Sequence, residues 1–88
     1  MKVVNRYKEK YTVYIGRPSI FGNPYTIGKD GTREEVINLY KYYFRTNLEV
    51  VKALFNLPKD TILGCYCKPK ACHGDVLVEF YNKYWKIK

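Results

Sequence analysis

Thr61-Ile62-Leu63-Gly64-Cys65-Tyr66-Cys67-Lys68-Pro69-Lys70-Ala71-Cys72-His73-Gly74-Asp75 runs from an apolar stretch through a basic loop to a helix start. Its first part, Thr61 to Cys67, is nearly continuous in apolar residues and of strand length. Such a run suits a central strand covered on both faces. In a strand from Ile62 to Cys67, Cys65 and Cys67 point to one face and Tyr66 to the other. Both thiols then stand at the carboxyl end of the strand, where ligands gather in open α/β sheets. Asp75 is suited to cap a last helix, with Val76, Leu77, Phe80, Tyr81 and Tyr84 on its inner face.

Upstream, two more strands are expected. Lys2 to Asn5 is a short apolar run that fits an edge, and Tyr11-Thr12-Val13-Tyr14-Ile15 is β-branched and aromatic, ending at Gly16. From Gly16 to Gly31 the frequent Gly, Pro, Ser, Asn and Asp predict a long irregular loop, a place where function concentrates. Thr32 and Glu35 have the spacing of a capping box, so a helix follows with Val36, Leu39, Tyr40, Tyr43 and Phe44 on one face. Asn47 is placed to cap a second helix carrying Leu48, Val51, Leu54 and Phe55, and Pro58 closes it. The order β-β-α-α-β-α describes a small α/β domain, with α+β the alternative class, whose short sheet is covered by helices. Residues 1–88 form one domain, because a chain of 88 residues is too short for two cores.

Hydrophobic residues make up 47% and charged residues 27%, which indicates a folded chain rather than a disordered one. Sixteen basic against eight acidic residues leave a formal charge of +8, favouring an anionic partner. The lysines are scattered from Lys2 to Lys88, so a plain solvated surface explains them as well. No stretch approaches the roughly 20 apolar residues that span a bilayer, and Met1 to Arg6 is polar. No membrane association is expected. Three cysteines close together, an odd number, do not make a secreted disulfide framework. The expected setting is the cytoplasm, of a host cell if the chain is viral. Nothing in the chain specifies an oligomeric state.

Three readings compete for the cysteine–histidine segment. Cys65, Cys67, Cys72 and His73 are the right types and number for a Cys3His zinc site, although such sites draw ligand pairs from separate segments. Alternatively, Cys72 or Cys67 is a reactive thiolate, or His73 an acid–base group, in a ligand pocket. Lys68, Lys70 and the helix start would lower a thiol pKa there. In the third reading the cysteines are small apolar core residues and His73 is a capping group.

The other informative loop is Gly16-Arg17-Pro18-Ser19-Ile20-Phe21-Gly22-Asn23-Pro24. Gly16 and Gly22 allow close approaches that a side chain would block. Arg17 offers a fork for phosphate or carboxylate, and Ser19 and Asn23 add neutral hydrogen-bonding groups. Phe21 is free to stack on a base or to anchor the loop. The loop is neither a Walker loop nor a dinucleotide fingerprint. Arg33 opens the first helix, where an anion would meet free amides and a surface ion pair is the alternative.

A strand leading into Gly-Arg-Pro-Ser-Ile-Phe-Gly-Asn-Pro-Tyr, then Asp-Gly-Thr-Arg-Glu-Glu-Val-Ile, then Leu-Gly-Cys-Tyr-Cys-Lys-Pro-Lys-Ala-Cys-His-Gly-Asp-Val-Leu resembles the domain of unknown function 4326, a family of small phage, viral and microbial proteins. Tyr66 stands where that family commonly shows Trp. The resemblance implies that Arg17, Ser19, Gly22, Asn23, Arg33, Cys65, Cys67, Cys72 and His73 fall in the defining motifs, and it implies no activity.

The expected function is a pocket for a phosphate-bearing ligand, a nucleotide or modified nucleotide. Arg17 and Arg33 would hold the anion, with Ser19, Gly22, Asn23, Cys67 and Lys68 around it and Cys72 and His73 facing its reactive part. The rival is a non-catalytic nucleic-acid-binding module, with or without zinc held by Cys65, Cys67, Cys72 and His73, resting on the charge and the ten tyrosines. A small viral protein that binds a host protein, with no chemistry of its own, is the third.

Overall fold

The computed structural model describes residues 1–84, so the last residues of the expected domain, 85–88, lie outside the described residues. The observed elements are β1 (Lys2–Asn5), β2 (Val13–Tyr14), α1 (Arg33–Thr46), α2 (Leu48–Phe55), β3 (Ile62–Cys65) and α3 (His73–Tyr84), in the expected order. The strand order is β1-β3-β2, and β3 pairs in parallel with both neighbours. The apolar run at Ile62 is therefore the central strand. It stops at Cys65, sooner than expected, and Cys67 already belongs to the loop.

Register fixes what each face of the sheet carries. Val3, Leu63 and Val13 stand level with one another, as do Val4, Gly64 and Tyr14 one residue on. Successive residues of a strand face opposite ways. The Leu63 face takes the helices. Tyr40 and Phe44 of α1, Val50 and Leu54 of α2, and Val76, Leu77 and Tyr81 of α3 join Leu63 and Cys65 in one buried cluster. A Cβ on Gly74 would come within 2.7 Å of Val3 and 2.8 Å of Ile15, so this glycine lets the start of α3 lie directly on the sheet.

The opposite face is covered by chain rather than by helix. Between β1 and β2 the segment from Arg6 to Thr12 crosses over β3, with Arg6 N–H donating to the Cys65 carbonyl and Thr12 N–H to the Ile62 carbonyl, both at 2.8 Å. Tyr11 lies flat against Gly64, where a Cβ would stand 2.6 Å from the ring. Helices thus cover one face only, which refines the expected sheet covered by helices.

The helices follow their sequence signals with four exceptions. The capping box forms as expected, Glu35 N–H donating to Thr32 Oγ1 at 3.2 Å and Thr32 N–H to Glu35 Oε1 at 2.9 Å. Asn47 stands at the start of α2 but its side chain caps nothing. The inner face of α2 is Val50 and Leu54, with the expected Val51 and Phe55 partly buried against the core, and of the expected stripe only Leu48 is exposed. α3 begins at His73, two residues before the expected Asp75. Asp75 instead sits inside the first turn, where its Oδ2 accepts from Cys72 N–H at 3.1 Å. Tyr84, at the far end of α3, is exposed.

Candidate functional site

The two motif loops meet. Gly16, Arg17 and Asn23 from the first, Tyr66, Cys67, Ala71, Cys72 and His73 from the second, and Arg33 from the start of α1 line one cleft of about 330 Å³. Ile27, Val36 and Ile37 supply its apolar wall. The size falls at the lower end of small-molecule pockets, about 300–1,000 Å³. Residues far apart in sequence converge here because β2 and β3 are neighbours whose carboxyl ends deliver both loops to the same edge.

Arg17 organises the first loop. Its Nε donates to the Asn23 carbonyl at 2.9 Å, and its Nη2 to Thr26 Oγ1 at 3.1 Å and the Tyr25 carbonyl at 3.4 Å. Nη1 has no partner among the described residues and is the part of the fork that remains for a ligand. Asn23 accepts from Tyr25 N–H at 2.9 Å and donates to the Val36 carbonyl at 3.3 Å, which ties the loop to α1. Arg33 Nη1 donates to the Ala71 carbonyl at 2.9 Å, joining α1 to the second loop, while its Nη2 and Nε make no protein hydrogen bond among the described residues. Both arginines combine a structural bond with a free donor edge.

His73 is held from below. Its Nε2 lies 2.7 Å from the Ile15 carbonyl, and a carbonyl only accepts, so Nε2 carries the hydrogen and Nδ1 keeps its lone pair. The ring meets Tyr40 edge-on at 5.0 Å. Burial pushes its pKa below the usual 6.5 and the Arg17 charge adds to this, against the Ile15 bond and Asp75. The neutral form is therefore part of the fold. Since the unfolded chain takes up the proton more readily, stability is full above about pH 6.5 and declines as pH falls toward the folded-state value. Urea titrations at pH 7.5 and pH 5.5 should show that decline, and His73→Gln should make the two midpoints more nearly equal.

The cysteines do not behave alike. Cys65 and Cys72 are buried with their sulfurs 3.3 Å apart, and Cys67 is half-buried in the cleft. Burial, then the Cys65 thiol, push Cys72 up to about 12. This reverses the expectation that Lys68, Lys70 and the helix start would make it a thiolate. Lys68 is instead paired with Asp75, which neutralises it. Cys72 is a packed, protonated thiol, and Cys67 is the sulfur that a ligand would meet. The Cys3His zinc set is not assembled: His73 Nε2 is bonded to backbone, Cys65 is in the core, and no three His, Cys, Asp or Glu side chains among the described residues converge on a point.

Three expected ligand contacts lie elsewhere. Gly22 is in the turn, its Cβ position 3.1 Å from Arg17 Cγ, so its role is to let the loop close. Ser19 sits in the same turn, and its buried Oγ has no partner among the described residues. Lys68 is turned to Asp75. Sequence reasoning missed Tyr66 and Ile27. Ile27 shares its loop with Ile20 and Phe21, so its apolar character alone did not single it out. Tyr66 does lie on the face opposite Cys65, as expected, beside Tyr14, and it is that neighbour which brings it to the cleft.

The family model described as "Domain of unknown function (DUF4326)" matches residues 2–83. A curated relative, the "Uncharacterized 12.4 kDa protein in nrdA-td intergenic region" of Enterobacteria phage T4, is 40% identical over 89 aligned residues, covering 97% of this chain and 81% of the relative. No solved structure matches the chain.

Proposed function

We propose that this chain, which belongs to the DUF4326 family, binds a phosphate-bearing ligand, a nucleotide or modified nucleotide, in the cleft between its two motif loops. The observation that carries this reading is the pair of arginines on the cleft wall, each with a donor edge left over from its structural bond. An arginine needed only for packing would have no reason to keep that edge beside a cavity, and a guanidinium edge suits a phosphate. Ile27, Val36 and Ile37 offer an apolar wall for a base or sugar, and Tyr66 an aromatic one. His73 Nδ1 and the Cys67 thiol are the groups available for chemistry on such a ligand; Cys72 supports them from the core. The cytoplasm is the setting we propose, where the three cysteines would stay as the free thiols seen here.

Calorimetric titration with a panel of nucleoside mono-, di- and triphosphates tests the reading. At least one should bind, and Arg33→Ala should weaken it by about tenfold to a hundredfold, the scale of a hydrogen bond to a charged group. Arg33→Gln, which keeps a donor for the Ala71 carbonyl, separates loss of the charge from loss of the loop contact. A panel in which nothing binds, or an Arg33→Gln protein that binds as tightly as wild type, overturns it.

A further inference from the structure

The face of the sheet opposite the helices carries more aromatic surface than its packing requires. Arg6 lies over three tyrosine rings, 4.7 Å from the centre of Tyr14, 5.2 Å from Tyr7 and 5.4 Å from Tyr66. Tyr14 meets Tyr66 edge-on at 5.8 Å and its hydroxyl donates to the Tyr66 oxygen at 2.6 Å, so the cluster is fixed rather than loose. Yet Tyr7 is 73% exposed and Tyr66 50% exposed. Tyr11 already covers Gly64 from this side, so neither outer ring is needed to shield the strand. Lys8 and Lys10 flank the cluster on the crossover, with one acidic residue, Glu9, between them.

Tyr66 belongs to both places. It lines the cleft and it packs at 5.8 Å from Tyr7 in the cluster. The aromatic face is thus continuous with the pocket mouth. Resting on the nucleotide reading of the cleft, we infer that the ligand is one nucleotide of a single-stranded nucleic acid, whose neighbouring bases stack on Tyr7 and Tyr66 while Arg6, Lys8 and Lys10 meet the backbone. Exposed rings with cations between them are how strands without secondary structure are held, because each base offers a face for stacking and each phosphate a charge. The net charge of +8 has the right sign for this partner. A duplex keeps its bases stacked on one another and presents none to the rings.

Fluorescence anisotropy with labelled 12-residue single strands of DNA and of RNA, and with the matching duplex, is the test, run beside calorimetry with mononucleotides. A single strand should bind at least tenfold tighter than any mononucleotide and than the duplex, and should weaken steeply with salt. Tyr7→Ala, at a site too exposed to unfold the protein, should weaken the strand about fivefold to a hundredfold and leave mononucleotide binding unchanged. A strand that binds no tighter than the mononucleotide, a duplex that binds equally well, or a Tyr7→Ala protein with full strand affinity overturns this inference and leaves the pocket standing. Strand binding that survives Arg33→Gln, with no mononucleotide binding, overturns the pocket and with it the inference. The DNA and RNA arms decide which sugar is preferred.

Discussion

Leu63→Ala is expected to destabilise the protein strongly, by about 2–5 kcal/mol. Leu63 is fully buried in the central strand, level with Val3 and Val13, and packs into the cluster formed by all three helices. Removing its branch opens a hole that no neighbour can fill, because the residues around it belong to different elements fixed by the same sheet. For a domain of this length the loss is a large share of the total, since stability scales at about 0.05–0.15 kcal/mol per residue. The thermal midpoint should fall by about 10–30 °C. Leu48→Ala is the matched control: Leu48 is 68% exposed and its truncation should change stability by no more than about 0.5 kcal/mol. Equal melting temperatures for the two variants would remove Leu63 from the centre of the core.

The second large effect is expected from one added methyl group. In Gly64→Ala the new Cβ would lie 2.6 Å from Tyr11 Cγ and 2.8–2.9 Å from its Cδ atoms. Those ring atoms are near the backbone and cannot swing aside alone, so the crossover itself must lift from the strand. The cost should be about 1–3 kcal/mol, the scale of overpacking in a filled site. Chemical denaturation of Gly64→Ala, Tyr11→Ala and the double variant would show the cause. The Gly64 change should cost much less once the Tyr11 ring is gone. Additive losses would mean that the ring is not what excludes the side chain.

These two neighbours also show what a sequence can and cannot display. The unbroken apolar run around Leu63 marks a central strand because burial on both faces removes the polar alternation that an edge would need. The Thr32–Glu35 box marks a helix start because its bonds are local, closing within one turn. Gly64 carries no such mark. Its reason lies in Tyr11, which reaches it only after the chain has crossed the sheet. The same holds at the site. Arg17, Asn23, Arg33, Cys67 and His73 were recognisable by side-chain chemistry and do line the cleft, whereas Gly22 and Ser19 shape the turn and Lys68 turns to Asp75. Cys72 misled for a physical reason: charge nearby suggests a thiolate, but burial decides, and sequence does not show depth. Leu48 misled because apolar character alone does not show which side of α2 turns inward: Val50, outside the expected stripe, is buried while Leu48 is exposed.

The sheet order has a consequence for assembly in time. β1 and β2 never pair with each other; each pairs only with β3, which begins at Ile62. During synthesis, both outer strands and the whole first motif loop must leave the ribosome and wait, unpaired, until the middle strand emerges. Such distant pairings close slowly, because loop-closure entropy is lost before any contact rewards it. A nascent chain halted before residue 61 would hold helical segments and no sheet, and the last third of the polypeptide would convert the first third from loose chain into a cleft.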